Sequence, residues 1–367
     1  MTRIKFVDLP PFQDADTIAA RLTATLKRLR LRAGSAPLPA ATDIWDDEDD
    51  AFDLKPTDRA KPVSYDDTKK IKRRATVLAD RQAARAGILH LKTEELARLA
   101  PVLGSVPLVM AGTEHWADEV AADLHAAMPW MAPATEHVWL ALRRAARRGG
   151  PVTFLPLMLN GPPGIGKSAW ARRLALRLSL PSADIDASKS GAGFALVGVE
   201  RGWSTALPGR PVELILARRI ANPVIIVDEV CKAGHATSTT GSRHAFADAL
   251  LSLIEPATAA AWECPFFRLP FDLSHVLWVM TANDGRSVPA PLRSRCPVIN
   301  LPDISAAQMA AFAEVEGRRM GLSDAAVGAI LDALDRAPAM LGRRLSLRDV
   351  IRMLDRGQAL EERPRVQ

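Results

Sequence analysis

The stretch LNGPPGIGKS, residues 159–168, sets how the rest of the chain is read. It ends an apolar run, FLPLMLN at 154–160, and leads into a helix-forming segment, SAWARRLALRLSL at 168–180. Gly161 to Ser168 fits the pattern G-x-x-x-x-G-K-S/T, and its place between a strand and a helix gives the pattern a mechanism. Gly164 and Gly166 let the backbone curl until successive N–H groups point inward at phosphate oxygens. The helix N-terminus adds its positive end. The loop, from Gly161, Pro162, Pro163 and Gly164 through Ile165, Gly166, Lys167 and Ser168 to Ala169, is the expected Walker A segment. Lys167 is placed to reach the β and γ phosphates of ATP, and Ser168 to ligate Mg2+.

A phosphate loop of this kind needs an acidic partner at the end of a later strand. VIIVDEV, residues 224–230, supplies it. Asp228 is the expected Mg2+ carboxylate, and Glu229 is placed to polarise an attacking water. Two adjacent carboxylates at the end of a buried strand are costly unless a cation or a donor meets them.

The wider sequence sets limits on what surrounds this site. The chain has 367 residues, enough for two or three units with real cores, and its 25% charged and 48% hydrophobic fractions are those of an ordinary globular protein. No window approaches the roughly eighteen consecutive apolar residues that a membrane span needs. The start lacks an apolar core of signal-peptide length, so the expectation is a cytoplasmic protein without a membrane partner. Cys231, Cys264 and Cys296 are too widely spaced for a metal site and read as free thiols. The net charge of +6 permits a nucleic-acid partner without requiring one.

Along the chain, Asp16 to Arg32 has the apolar spacing of an amphipathic helix, with Ile18, Leu22, Leu26 and Leu29 on one face. The Pro- and Ala-rich stretch GSAPLPAATDIWDDEDD (34–50) ends in an acidic block and reads as part of a flexible linker near residues 33–66. TKKIKRRATVLADRQAARAG (68–87) is basic and helical, either a solvated face or an anion-binding one. Residues 123–150 read as one helix closed by Gly149 and Gly150. Beyond them, FLPLMLN, NPVIIVDE and HVLWVMTAN are unbroken apolar runs, which predict strands buried on both faces of a parallel sheet. After Pro302 the pattern is helical to the end.

Taken in order, LNGPPGIGKS, STALPGR, NPVIIVDEV, ALLSLIEP, LPFDLSHVLWVMTAN and VPAPLRSRCPVI resemble the AAA+ ATPases, and within them the ATPase module of Lon proteases. The resemblance covers about residues 150–355. It implies an α/β P-loop fold with a five-stranded parallel sheet flanked by helices, plus a C-terminal helical lid. The expected organisation is a helical N-terminal region over 1–122, the nucleotide-binding domain over 123–302 and the lid over 303–367.

The same resemblance places further residues. Asn283 matches the polar sensor that orients the attacking water, and Arg295 matches the arginine finger that reaches a neighbouring subunit's nucleotide, with Arg293 as a second candidate. Arg348, or alternatively Arg344, matches the second sensor on the lid. Trp203, followed by Ser204, falls where Lon-like modules carry the aromatic of the first pore loop, which grips polypeptide in the channel of a hexamer; structural burial is the competing reading of this indole. Two departures stand out: Ser204 replaces a usually apolar residue, and Cys231 replaces the usual acid two positions beyond Glu229. The chain ends about a dozen residues beyond Leu354, so a Lon-type protease domain is not expected in it.

The function implied is a homohexameric ATP-hydrolysing motor of the unfoldase or chaperone kind, acting on protein substrates. The alternative is a nucleic-acid-associated ATPase, for which KKIKRR (69–74) and RRAARR (143–148) are the candidate contacts.

Overall fold

The computed structural model describes residues 2–10, 12–33, 63–189, 192–203, 205–232, 235–237, 243–341 and 345–362. Most of the expected linker lies outside the described residues, as do Ser204 and Arg344. The chain forms two compact units: Leu9–Leu96, and Met1–Asp8 together with Ala97–Gln367.

The smaller unit is built on two helices, α1 (Ala15–Ala33) and α2 (Tyr65–Arg85). Helix α1 extends one residue beyond the predicted span at each end. A reciprocal capping box at Ser64 and Asp67 starts α2, satisfying two N–H groups that a helix beginning otherwise leaves unpaired. Ile18 and Ala75 are fully buried in this unit.

In the larger unit, β1 (Leu157–Asn160), β2 (Ser182–Asp186), β3 (Val224–Asp228), β4 (Leu277–Ala282) and β5 (Val298–Asn300) form one parallel sheet. Their spatial order is β5-β1-β4-β3-β2. All six residues of β4, which runs between β1 and β3, are buried. The register places Ala282 beside Asn160 and Met280 beside Val227, so the carboxyl ends of β1, β4 and β3 lie side by side. In open α/β sheets that edge is where ligands bind.

Residues 123–150 are not one helix. Helix α3 (Glu114–Ala127) stops before a single 3-10 turn at Pro129–Met131, and α4 (Ala132–Arg147) then begins anew. Pro129 and Pro133 explain the break, since proline has no N–H to donate and suits the first turn of a helix rather than its interior. Gly149, at φ +57°, does close α4 as read.

The N-terminal region does not pack as one body either. Arg3–Ile4 pairs antiparallel with Val106–Pro107, and Phe6 is fully buried against Phe271 with ring centroids 5.0 Å apart. The first eight residues therefore belong to the larger unit.

Helix α5 (Lys167–Arg177) follows β1, α6 (Arg210–Arg218) precedes β3, and α7 (Phe246–Ile254) and α8 (Ala290–Arg295) flank β4 in the chain. After the sheet come α9 (Ala306–Arg319), α10 (Asp324–Leu341) and α11 (Leu347–Glu361). Met309 of α9 and Val350 and Leu354 of α11 share one apolar core with Leu157, Val224 and Ile226 of the sheet and Trp170 of α5.

Candidate functional site

The phosphate loop leaves β1 at Asn160, and Gly161 N–H donates to Ala282 O of β4 at 3.2 Å. Its curl depends on two left-handed glycines, Gly164 at φ +81° and Gly166 at φ +90°. Space is as restrictive as conformation: a Cβ on Gly164 would come within 2.6 Å of Ser346 Cβ. Two bonds from outside fix the loop. Trp130 Nε1 donates to Ile165 O at 2.8 Å, and Leu347 N–H, from the start of α11, donates to Gly164 O at 3.0 Å.

Lys167 opens α5 and is buried. Its ammonium donates to Gly161 O (2.7 Å), Pro162 O (2.8 Å) and Asn283 Oδ1 (2.9 Å). Burial lowers its pKa to about 8, despite the opposing pull of Asp228, Cys231 and Glu229; Arg348 adds to the lowering. Ser168 Oγ donates to Asp228 Oδ1 at 2.7 Å.

Thr281, on β4, ties the acidic pair together. Its hydroxyl donates to Asp228 Oδ1 and accepts from Glu229 N–H at 3.1 Å. Glu229 itself sits at φ +54°, a backbone conformation that is costly for a side-chain-bearing residue and recurs at functional sites. Its carboxylate is held on both oxygens: Asn283 Nδ2 donates to Oε1 at 3.3 Å, and Lys232 Nζ to Oε2 at 2.8 Å. Thr281 is a residue that sequence reasoning missed. The available signal is its position two before Asn283, which on a strand puts it on the same face.

These groups line a cleft of about 470 Å³. One part of its lining is polar, with Lys167, Ser168, Asp228, Glu229 and Asn283; another is apolar, with Met128, Phe312, Leu347 and Ile351. Arg348 lines the same cleft and is exposed. A charged end beside an apolar wall suits a molecule that joins a polyphosphate to a base, and the Ser168 hydroxyl beside the Asp228 carboxylate is a hard oxygen pair of the kind Mg2+ takes. The residues present therefore fit ATP with its metal.

Other expected site residues lie elsewhere. Arg295, on α8, pairs with Glu255 at 2.9 Å at the surface. Arg293 lines an adjoining open cleft with Asn160, Asp284 and Arg286, and Asn283 borders both clefts. Trp203 is 62% exposed, so burial does not describe it, and Phe194 (49%) and Leu207 (54%) are also exposed in the same stretch of chain. All three cysteines are free thiols, with Cys264 and Cys296 buried and Cys231 partly exposed beside Asn283 N–H.

Residues 157–302 match the ATPase family associated with various cellular activities (AAA). Relatives agree. The chain is 28% identical over 215 residues to the Lon protease of Desulfovibrio desulfuricans, covering 55% of this chain and 24% of the relative. It is 34% identical over 145 residues to Lon protease 4 of Sorangium cellulosum, covering 40% of this chain and 18% of the relative. With the mitochondrial Lon protease homolog of Phaeodactylum tricornutum it shares 32% over 158 residues, 43% of this chain and 17% of the relative. The chain carries a Lon-like AAA+ module. It spans no more than about a quarter of the length of these relatives. In the AAA+ module the phosphate loop, the acidic pair and Asn283 converge on one cleft, whereas Arg295 and Trp203 stand outside it on the surface.

Proposed function

We propose that the chain is a cytoplasmic, Mg2+-dependent ATP-driven remodeller of proteins that works as a ring, most simply of six subunits. The observation that carries this reading is a hydrolytic constellation around Lys167, Asp228 and Glu229 combined with an exposed indole at Trp203.

In this reading Lys167 exchanges its carbonyl acceptors for β and γ phosphate oxygens, and the loop N–H groups bind beside it. Ser168 and Asp228 hold Mg2+, which when bound offsets the charge of the phosphates. Glu229 accepts the proton of the attacking water, and Asn283, already bonded to both Glu229 and Lys167, positions that water. Arg348 closes over the phosphates from the lid. Arg295 exchanges Glu255 for the nucleotide of the adjacent subunit, so hydrolysis requires assembly; finger arginines contribute about 10³–10⁵-fold in rate where measured in other systems.

Trp203 grips the substrate. A threaded polypeptide varies in side chain, and a flat amphipathic indole contacts any of them without demanding one shape. Ser204, next in the chain, is proposed as part of the same loop.

The test is an unfolding assay with a folded fluorescent protein that carries an unstructured tail. Loss of fluorescence with ATP, absent in Trp203→Ala and in Glu229→Gln, supports threading. Fluorescence that persists with wild-type protein while ATP is hydrolysed argues for a motor with another output.

A further inference from the structure

Trp130 belongs to the 3-10 turn between α3 and α4 and is buried, yet the hydrolytic chemistry makes no direct use of it. A buried indole N–H needs an acceptor. Trp130 Nε1 takes Ile165 O, inside the phosphate loop, at 2.8 Å. Among the described residues no other donor reaches that carbonyl. Helix α5 begins too late to supply one, because Trp170 N–H bonds Gly166 O, one residue further on.

The bond has a consequence for the next N–H. In a planar trans peptide unit the C=O and the N–H point in opposite directions. Holding Ile165 O to the indole therefore aims Gly166 N–H the other way. Gly166 lines the cleft, and its N–H has no partner among the described residues. The neighbouring peptide is anchored alike: Leu347 N–H holds Gly164 O, which aims Ile165 N–H. Successive N–H groups turned to one side form a concavity for an anion. Glycine rotates more freely than any other residue, so at Gly166, φ +90°, an outside anchor decides which way that N–H faces.

The indole also has a second neighbour. Its ring meets Phe312 of α9 edge-on, with centroids 6.2 Å apart and planes at 77°. Phe312 lines the same cleft as the phosphate loop. Trp170 provides the contrast: it is equally buried, but its Nε1 bonds Thr135 Oγ1 at 3.1 Å and holds no loop carbonyl. We propose that Trp130 is a positioning residue for the nucleotide phosphates. Its N–H fixes the Ile165–Gly166 peptide so that Gly166 N–H faces the phosphates, and Phe312 braces the ring, linking the seating of α9 to the shape of the loop. The inference rests on reading the cleft as a nucleotide site.

The experiment is a fluorescent-ADP titration of the full chain with Mg2+, with unlabelled ADP and pyrophosphate as competitors. Trp130→Phe keeps an aromatic edge for Phe312 and removes the N–H. It is expected to weaken ADP and pyrophosphate by the same factor, about five- to tenfold, which corresponds to about 1–1.4 kcal/mol, the net worth of one hydrogen bond. Thr135→Val leaves Trp170 N–H unpaired in the same core; it is expected to lower the unfolding midpoint and to bind both competitors as wild type. Phe312→Leu is expected to weaken pyrophosphate, which carries no base, by at least about twofold, and it carries the test alone should Trp130→Phe not fold. Wild-type protein that fails to bind ADP would overturn the nucleotide reading and this inference with it. With ADP bound by the wild type, unchanged pyrophosphate affinity in Trp130→Phe, a loss confined to ADP, or an equal loss in Thr135→Val would each overturn the role of Trp130 alone. Pyrophosphate bound by Phe312→Leu as by wild type would overturn the link to α9.

Discussion

Thr281 shows how much of the site rests on single atoms. One hydroxyl satisfies Asp228 and orders the backbone of Glu229, so Thr281→Val removes two bonds while keeping the shape. An unsatisfied buried N–H costs about 1–3 kcal/mol, and here it belongs to a residue already at positive φ. The expected outcome is hydrolysis slowed about tenfold, equivalent to about 1.4 kcal/mol, with nucleotide affinity nearly kept. Steady-state kinetics beside a nucleotide titration would separate the two. The lysine offers a pH test. Burial sets Lys167 near pKa 8, and only its charged form pairs with phosphate. Below that value the site is ready; above it, binding must take up a proton. Affinity is therefore expected to fall as pH rises from 8 to 10, approaching tenfold per unit, with proton uptake visible as a buffer-dependent heat in calorimetry. Neither dependence is legible in the sequence. A threonine in an apolar strand reads as a β-former, and its partners are set by the register that brings β4 against β3.

Among the elements, β1, β3 and β4 are readable because burial on both faces leaves unbroken apolar runs. Strands β2 and β5 lie at the two edges of the sheet, and nothing in SADID or VIN announces them: the first is mostly polar and the second only three residues long. The elements carrying the phosphate chemistry are thus the legible ones. The break at Pro129 escapes such reading for a different reason, since an apolar periodicity on either side of it masks the two prolines. Equally hidden is how closely α11 approaches the phosphate loop. Leu347 N–H bonds Gly164 O, and Ser346 fills the space above Gly164. Gly164→Ala is expected to weaken nucleotide binding by about 5- to 150-fold, through strain at φ +81° and displacement of α11, a cost of about 1–3 kcal/mol. A fluorescent-nucleotide titration would check it; unchanged affinity would mean that the loop and α11 are not coupled as described.

For the whole molecule, the chain leaves the ATPase unit after Asp8 and returns to it at Ala97, so the helical hairpin is an excursion from an ATPase unit that includes its own first residues. Truncation at residue 96 would remove the Arg3–Ile4 strand and the buried Phe6 as well, and is expected to destabilise the ATPase unit; a loop replacing 9–96 is the sounder deletion. In the proposed motor the hydrolytic cleft is coupled to an exposed indole that lies outside it. That coupling is read by steady-state ATP hydrolysis with and without an unfolded model polypeptide, in wild type and in Trp203→Ala, with Glu229→Gln as the blank. Stimulation by polypeptide in the wild type, lost in Trp203→Ala while basal hydrolysis is retained, is the expected result. Hydrolysis indifferent to polypeptide, with Trp203→Ala equal to wild type, would mean that no such coupling exists.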